Sequence, residues 1–263
     1  IPLLSLVDER YLDVKGNLSL LNWDAKRDMF IQAELTNLSV AQSGIRYLMN
    51  NLTGSVPSIL EHMEHVRFKG GLGGYFHDLQ VAGLLQTGGG SIDANLLINS
   101  DEEFNRTYSG NVVSDDMNLG KLLGNPKFGY AQFNVDLEGF NYQDKYPESY
   151  IKGIVSSFDY SGYRYENITL DGIYKDGGFN GHLALDDENG KVQIDGTFNM
   201  ARKISDFNLY ASVQNLRPEK LNLSDKYVVF DIYKNNYASW FCLDFVNNDA
   251  KMGLWNTLGF NAD

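Results

Sequence analysis

The strongest grouping of metal-ligating side chains in this chain is EHMEH at residues 61–65. On a helix, His62 and His65 would share one face with a glutamate beside each, and two histidines on one turn can bind zinc. A zinc site needs a third protein ligand, and His77 and His182 lie on predicted strands. We therefore interpret EHMEH as a solvated polar face and predict no metal site.

Two further stretches have a composition that could hold a ligand. GGLGG at 70–74 is dense in glycine, but the dinucleotide pattern requires glycine where Phe76 stands, and no Walker lysine follows. DDENG at 186–190 lacks the alternating ligands of an EF-hand loop, and a hairpin turn explains it. No nucleophile elbow occurs, and the acidic residues are scattered over turns and outward strand positions. The sequence therefore predicts a protein that is not an enzyme and has no cofactor.

Composition narrows the class of partner. The formal net charge of −12 over 263 residues disfavours binding to the phosphates of nucleic acids. Cys242 is the only cysteine, so a disulfide framework and a cysteine-based metal cluster are excluded. The 26 glycines, 16 tyrosines and 15 phenylalanines suit a chain of many strands and tight turns.

Alternation of apolar and polar residues with a period of two dominates residues 130–216. Such alternation places the apolar residues of a strand on one face of a sheet. Short turn-like breaks at 175–178, 186–190 and 202–206 predict that neighbouring strands are antiparallel. The apolar residues of these strands that we expect on one shared surface are Phe133, Val135, Leu137, Ile168, Leu170, Leu183, Leu185, Val192, Ile194, Phe198, Leu209 and Val213.

A few short helices are predicted between the strand blocks. The stretches QSGIRYLMNNL (42–52), MNLGKLLG (117–124) and LRPEKLNL (216–223) have the pattern of one- to three-turn helices. VPSILEHMEHV (56–66) is a further candidate. We expect these pieces to lie at the edges or ends of the sheet.

A recurring phrase in the second half of the chain resembles a known family. It runs through Tyr165, Asn167, Ile168, Leu170, Gly172, Tyr174, Gly177, Phe179, Gly181, Leu183, Leu185 and Asp186, and then Asp195 and Gly196. These residues resemble the TamB (translocation and assembly module) proteins of the AsmA-like superfamily. The stretches at 67–98 and 108–124 have the same format. The resemblance covers about residues 10 to 227, so we interpret 1–227 as one β-groove segment. Residues 228–263 are a divergent, aromatic-rich C-terminal tail that forms either an extra strand or a truncated end.

The resemblance implies a non-enzymatic protein of the cell envelope. Its fold would be an elongated, curled antiparallel sheet with an open, β-taco-like groove, and the twelve apolar residues would line that groove for phospholipid acyl chains. Its function would be phospholipid transport between the inner and outer membranes, outer-membrane protein assembly, or both. The partner would be an outer-membrane barrel protein of the TamA type. The location would be the periplasm, with an inner-membrane anchor in a segment not present in this chain.

Three alternatives remain open from the sequence. Alternation by itself favours a closed β-sandwich over an open groove, and in the sandwich the same residues form the core. The resemblance to TamB favours the open groove instead. A carbohydrate-binding or adhesive β-sandwich would use tyrosines to line a sugar site. A β-helical polysaccharide enzyme would need carboxylates or basic residues clustered in one cleft, and the sequence shows no such cluster.

Overall fold

The computed structural model describes residues 3–8, 11–22, 24, 28–53, 62–75, 77–100, 106–141, 148–175, 178–199, 206–223 and 230–232. In these ranges the chain forms fourteen β-strands and two short α-helices. The strands are β1 (Leu4–Asp8), β2 (Leu12–Leu21), β3 (Phe30–Ala41), β4 (His65–Tyr75), β5 (Asp78–Thr87), β6 (Gly90–Ser100), β7 (Arg106–Asn118), β8 (Phe128–Asn141), β9 (Glu148–Tyr160), β10 (Tyr163–Lys175), β11 (Gly178–Asp187), β12 (Gly190–Asn199), β13 (Asp206–Leu216) and β14 (Phe230–Ile232). The helices are α1 (Gln42–Thr53) and α2 (Leu119–Leu123).

All fourteen strands belong to one antiparallel sheet, and their spatial order follows the chain from β1 to β14. Tight turns impose this order because they join only antiparallel neighbours. Two-residue turns connect β5 to β6, β9 to β10, and β11 to β12. In the described part of the chain β1 and β14 do not pair with each other, so the sheet is not closed on itself.

The strand register gives the sheet one apolar and one polar side. Directly paired residues on neighbouring antiparallel strands point to the same side. Val135, Gly153, Leu170, Leu183 and Ile194 form one such row across β8 to β12. We call this side the apolar face and the opposite side the polar face. Along β12 the described residues of the apolar face are half-buried or buried, whereas those of the polar face are exposed.

No second sheet covers the apolar face within the described ranges. Apart from the contacts of the helices, every extensive contact joins strands that are neighbours in the sheet. Leu170, Leu183 and Ile194 stay half-buried, whereas core side chains of a β-sandwich are enclosed by the facing sheet. The prediction of an all-β, open, curled sheet is therefore confirmed, and the described part of the chain does not form the closed β-sandwich that we kept as the alternative.

Glycines on the apolar face allow the strands to bend. Gly110 and Gly153 lie in the middle of β7 and β9 with φ of 145° and 156°, which side-chain-bearing residues rarely adopt. A Cβ at Gly153 would overlap the carbonyl oxygen of Asn134 on β8, and one at Gly110 would overlap that of Asn95 on β6. Bends at such glycines, repeated on successive strands, curl a sheet.

Asn167 interrupts the alternation of β10. Its φ is 53°, in the left-handed region that asparagine tolerates better than most residues. Tyr165 is half-buried, Glu166 and Asn167 are both exposed, and Ile168 is half-buried again. The left-handed residue therefore keeps Tyr165 and Ile168 on the enclosed side, although a strict period of two would separate them.

At one end of the strands, short segments fold over the hairpin turns, and we call this the capped end. α1 comes directly after β3 and lies beside the turn that precedes β2, where the rings of Tyr11 and Tyr47 stack at 5.2 Å. α2 comes directly after β7 and places buried Leu122 next to Gly89 in the β5–β6 turn. The N–H of Asn118 donates to the Gly89 carbonyl at 2.5 Å, which fixes α2 to that turn.

Residues 217–223 form the third cap. The N–H of Arg217 donates to the Asn189 carbonyl in the β11–β12 turn at 2.9 Å. The Tyr165 hydroxyl donates to the carbonyl of Leu221 at 2.9 Å, and Leu221 is only 1% exposed. This segment therefore covers the β9–β10 turn and the β11–β12 turn.

The helix predictions meet mixed outcomes. The helix predicted over 42–52 is confirmed as α1, and the helix predicted over 117–124 is confirmed as the shorter α2. The Asn118 side chain caps α2 by accepting from the Lys121 N–H at 2.9 Å. The helix over 216–223 is wrong, because the segment forms consecutive turns that end at left-handed Asn222 (φ 54°). Of the candidate helix over 56–66, residues 56–61 lie outside the described residues, and its last two residues belong to β4.

Candidate functional site

The register places the predicted interior residues of β8 to β13 together on the apolar face. Those whose side chains are described are Phe133, Val135, Leu137, Ile168, Leu170, Leu183, Leu185, Val192, Ile194 and Val213. Phe198 is paired with Phe207 and Leu209 with Gly196 in the same register, but their side chains lie outside the described residues. Whether these residues line a path for lipid stays a prediction.

The apolar face offers a surface without charge over several strands. In β8 to β12 its described positions carry no charged side chain except Asp187, which sits at the capped end. Strands lie about 4.8 Å apart, so the row from Val135 to Ile194 extends about 19 Å across the sheet. Such a surface can bind hydrocarbon.

The side chain of Asp187 is buried but fully engaged. It accepts from the Tyr163 hydroxyl at 2.5 Å and from the backbone N–H groups of Glu166 at 3.1 Å and Asn189 at 2.9 Å. Burial is the largest cause that raises the pKa of Tyr163 to about 12, with the Asp187 carboxylate adding to it. These bonds close the β11–β12 turn against β10, so Asp187 has a structural explanation.

Aromatic rings border the apolar face at the capped end of β8 to β10. Phe158 contacts Phe128 and Tyr165 at ring-centroid distances of 5.9 Å and 6.5 Å, and Tyr163 meets Tyr165 edge to face at 4.8 Å. Burial raises the pKa of Tyr165 to about 12. The cluster and the cap above it close one long side of the apolar face.

The polar face carries a cross-strand row of charged and polar residues. Lys152 Nζ lies 2.8 Å from the Asp171 carboxylate, and the Tyr150 hydroxyl donates to the same carboxylate at 2.5 Å. These two hydrogen bonds, that of Lys152 first, lower the pKa of Asp171. His182 Nδ1 lies 2.7 Å from Asp195 Oδ1 on the next two strands. Because this row of polar residues contacts water while the apolar residues between them face the other side, polar and apolar residues alternate regularly in the sequence of these strands.

The residues of EHMEH that the structure describes do not share a helix. His62 lies in a bend next to Gly124, and His65 begins β4. Glu64 forms an ion pair with Lys121 of α2 at 2.9 Å, which lowers the pKa of that glutamate. Within the described ranges, no three His, Cys, Asp or Glu side chains are grouped so that they could hold a metal ion.

The residues that line the first half of the apolar face were not named from the sequence. Leu72, Val81, Leu96 and Val112 continue it across β4 to β7 in the same register. Alternation is present there, but glycines in GGLGG and at Gly83 replace apolar side chains and weaken the signal. Reading glycine as a member of the apolar face would have identified these lining residues.

Comparisons with known proteins bring no relative. The scan against protein-family models, the search of curated proteins and the search of solved structures each found no match. The resemblance to TamB therefore rests on the quoted phrases, and its implications for function remain a proposal. No helix in the described ranges is both long enough and apolar enough to cross a membrane.

Proposed function

We propose that this chain is a non-enzymatic segment of a TamB-like envelope protein whose apolar face carries phospholipid acyl chains. The proposed role is phospholipid transport between the inner and outer membranes, with outer-membrane protein assembly as a linked role. The observation that carries the proposal is an apolar face that runs through neighbouring strands of one sheet without a covering layer in the described chain.

An apolar face that no other layer covers either binds an occupant or leaves apolar surface exposed to water, which costs free energy. Leu6 and Leu20, on the same face near the start of the sheet, are 56% and 43% exposed. Contiguous exposed apolar surface on a soluble domain marks an interaction site. A lipid fits because the surface is long and narrow and, apart from Asp187 at the capped end, uncharged over the described part of β8 to β12, whereas a folded protein partner would be expected to meet a polar rim as well.

The energetic scale suits transient binding. An acyl chain of about sixteen carbons lying across the strands would cross about four of them. Burying its methylenes contributes at most about 12 kcal/mol, at about 0.8 kcal/mol each. An open groove encloses only part of the chain, and the lipid loses freedom on binding, so the net affinity is far weaker. Weak binding allows a lipid to move on.

The capped end supports a preferred orientation for the lipid. Buried Met117, Leu122 and Leu221 close that side, so the headgroup of a lipid whose acyl chain lies across the strands would be at their opposite ends. The charged headgroup would stay in water there, because burying an unpaired charge in the apolar face is costly. A lipid could then move from strand to strand without desolvating its headgroup.

The proposed partner and location come from the resemblance. An outer-membrane barrel of the TamA type is the proposed partner, the periplasm is the proposed location, and the proposed inner-membrane anchor lies in a segment not present in this chain. An open sheet can be extended strand by strand, which suits a protein that must bridge two membranes.

The test compares two adjacent residues of β12 that face opposite sides. Ile194→Glu places a carboxylate on the apolar face, whereas Gln193→Glu places the same group on the polar face. Each purified protein is mixed with vesicles of phosphatidylethanolamine and phosphatidylglycerol, re-isolated, and analysed for bound phospholipid by mass spectrometry. We expect wild type and Gln193→Glu to retain lipid equally and Ile194→Glu to lose most of it.

A folding control separates a blocked path from a damaged fold. Circular dichroism melting curves are recorded for each variant, and Leu183→Gln serves as a milder lesion if Ile194→Glu does not fold. Equal lipid retention by folded Ile194→Glu and Gln193→Glu, or no lipid on the wild type, would contradict the proposal.

A further inference from the structure

The polar face holds a shallow cavity that the proposed lipid path does not use. Its volume is about 580 Å³, and it lies over β5 to β9. The polar residues that line it include Gln80, Asn95, Asn111, Asp136, Glu138 and Tyr150. Register pairs such as Asn95 with Asn111 and Asn111 with Asp136 place these side chains in adjacent rows on one side of the sheet.

Hydrogen bonds hold the amide groups of the cavity in place. The Asn111 amide donates to Asp136 Oδ1 at 2.8 Å and to Asn134 Oδ1 at 2.9 Å. The Gln80 amide donates to Asn95 Oδ1 at 3.2 Å. Side-chain amides both donate and accept, and carboxylates accept at two oxygens, so the cavity presents donors and acceptors side by side. Groups fixed in this way lose little conformational entropy when a ligand binds.

Tyr150 supplies an oriented ring at the β9 side of the cavity. Its hydroxyl donates to Asp171 Oδ1 at 2.5 Å, and Lys152 binds the same carboxylate at 2.8 Å. The phenol is therefore held by its tip, which limits movement of the side chain about χ1. Leu97 lies on the opposite side of the cavity and is 39% exposed. The cavity thus has apolar contact surfaces on two sides and polar groups between them.

We propose that this cavity binds a neutral oligosaccharide. Neighbouring sugar hydroxyls both donate and accept, which matches the mixed amides and carboxylates, and the C–H faces of sugar rings pack on aromatic and apolar side chains. The residues sit on consecutive strands about 4.8 Å apart, so more than one sugar unit could be contacted along the row. This site lies on the face opposite to the lipid path and is independent of it.

Charge and hydrogen bonding disfavour the two main alternative ligands, an anion and a bare cation. The lining residues in the described chain include no Lys, Arg or His, and Lys152 nearby is paired with Asp171, so anions such as phosphates or uronates are disfavoured. A bare cation would use acceptors alone, whereas one oxygen of Asp136 already accepts from Asn111. Asn111 already donates both of its amide N–H groups within the protein, whereas Asn95 and Gln80 keep amide N–H groups that have a use only if the ligand also accepts hydrogen bonds.

Isothermal titration calorimetry of the purified chain tests the proposal. The probes are hexamers of maltose-, cellulose- and chitin-type sugars, with hexagalacturonate, calcium and spermidine as charged comparisons. Asn111→Ala removes the central amide, Gln80→Ala removes an exposed amide at the far side and serves if Asn111→Ala does not fold, and Thr169→Ala is a matched change on the polar face outside the cavity. Melting curves confirm that each protein is folded.

We expect at least one neutral hexamer to bind the wild type and Thr169→Ala equally. Asn111→Ala or Gln80→Ala should weaken that binding about tenfold, as the loss of one or two hydrogen bonds implies. Absence of binding by every neutral hexamer, equal binding by all variants, or tighter binding of a charged probe would overturn the proposal.

Discussion

The capped end and the middle of the apolar face use the same kinds of side chain, but the capped end encloses them more completely, although Val135 in the middle is buried as well. Met117 and Leu221 are each 1% exposed beneath the caps, whereas Leu183 and Ile194 remain half-buried on the open sheet. The difference arises from the segments that connect the strands. Where α2 or the turns at 217–223 fold back, apolar residues become a core. Where no described segment folds back, residues such as Leu183 and Ile194 stay half-buried and form a surface.

This contrast separates stability from function in one sheet. A residue under a cap contributes to folding through full burial, which is worth about 1.5–3 kcal/mol for a large apolar side chain. A residue on the open face contributes less to folding and remains available to a ligand. Substitutions in the two regions, ordered here from the largest expected effect to the smallest, test whether the regions differ in this way.

The largest loss is expected at a glycine that shapes the open face. Gly153→Ala forces a side chain into φ of 156° and against the Asn134 carbonyl, so we expect the free energy of unfolding to fall by about 4 kcal/mol. Gly73→Ala is the matched control, because a Cβ there meets nothing within 4 Å and the change should be neutral or slightly stabilising. Urea denaturation measures both, and equal effects would show that these glycines do not shape the sheet.

A core residue under a cap should matter more than a residue of the open face. Met117→Ala leaves a cavity at the capped end of β7 and should lower the free energy of unfolding by about 3 kcal/mol. Leu183→Ala removes a half-buried side chain and should cost about 1 kcal/mol. Denaturant titration of the two variants measures the ratio. A loss at Leu183 as large as that at Met117 would mean that the face is covered and that the two regions do not differ.

The capped end should also weaken in alkali. The folded-state pKa of Tyr163 is raised to about 12 from an ordinary value of 10.0. Its contribution to stability is therefore complete below about pH 10 and is lost as the pH rises through the folded pKa. The melting temperature, measured from pH 8 to pH 12, should decrease between about pH 10 and pH 12. Tyr163→Phe should be less stable at pH 8 but should show a shallower alkaline fall, whereas Tyr130→Phe, at an exposed position, should match the wild type.

The smallest effect is expected on the polar face. Lys152→Met removes the main cause of the lowered pKa of Asp171, so that pKa should rise toward its ordinary value in an NMR titration. A lowered pKa stabilises the fold at pH values above the pKa of the unfolded state. In the wild type, the stabilisation from Asp171 should therefore be lost as the pH falls through the pKa of the folded state. The melting curve at pH 7 should not change measurably, since exposed ion pairs contribute little. A clear loss of stability at pH 7 would show that the polar row holds the sheet together.

The strands and one face of the sheet could be predicted from the sequence, but the caps could not. In β12, Val192, Gln193, Ile194 and Asp195 alternate so regularly that only one register hides the apolar pair. The cap over β10 depends instead on a bond between Tyr165 and Leu221, which are 56 residues apart. No local pattern reports such a contact, and the helix predicted at 216–223 was wrong for the same reason.

The polar-face cavity was equally beyond local reasoning. Gln80 lies on β5 and Tyr150 on β9, and each by itself is an ordinary outward residue. Register across β5 to β9 brings them to one depression. The tyrosine-lined sugar site considered from the sequence belonged to a β-sandwich, whereas the cavity lies on the outside of a single sheet.

Photocrosslinking in cells at two adjacent positions tests the central claim most directly. A photoreactive amino acid replaces either Ile194, on the apolar face, or Gln193, on the polar face, in the full-length protein. After irradiation, the purified protein is analysed for covalently attached phospholipid, and a melting curve confirms that each variant is folded. Our account predicts lipid adducts at position 194 and none at position 193. Equal labelling at both positions, or labelling at neither, would contradict a lipid path on the apolar face.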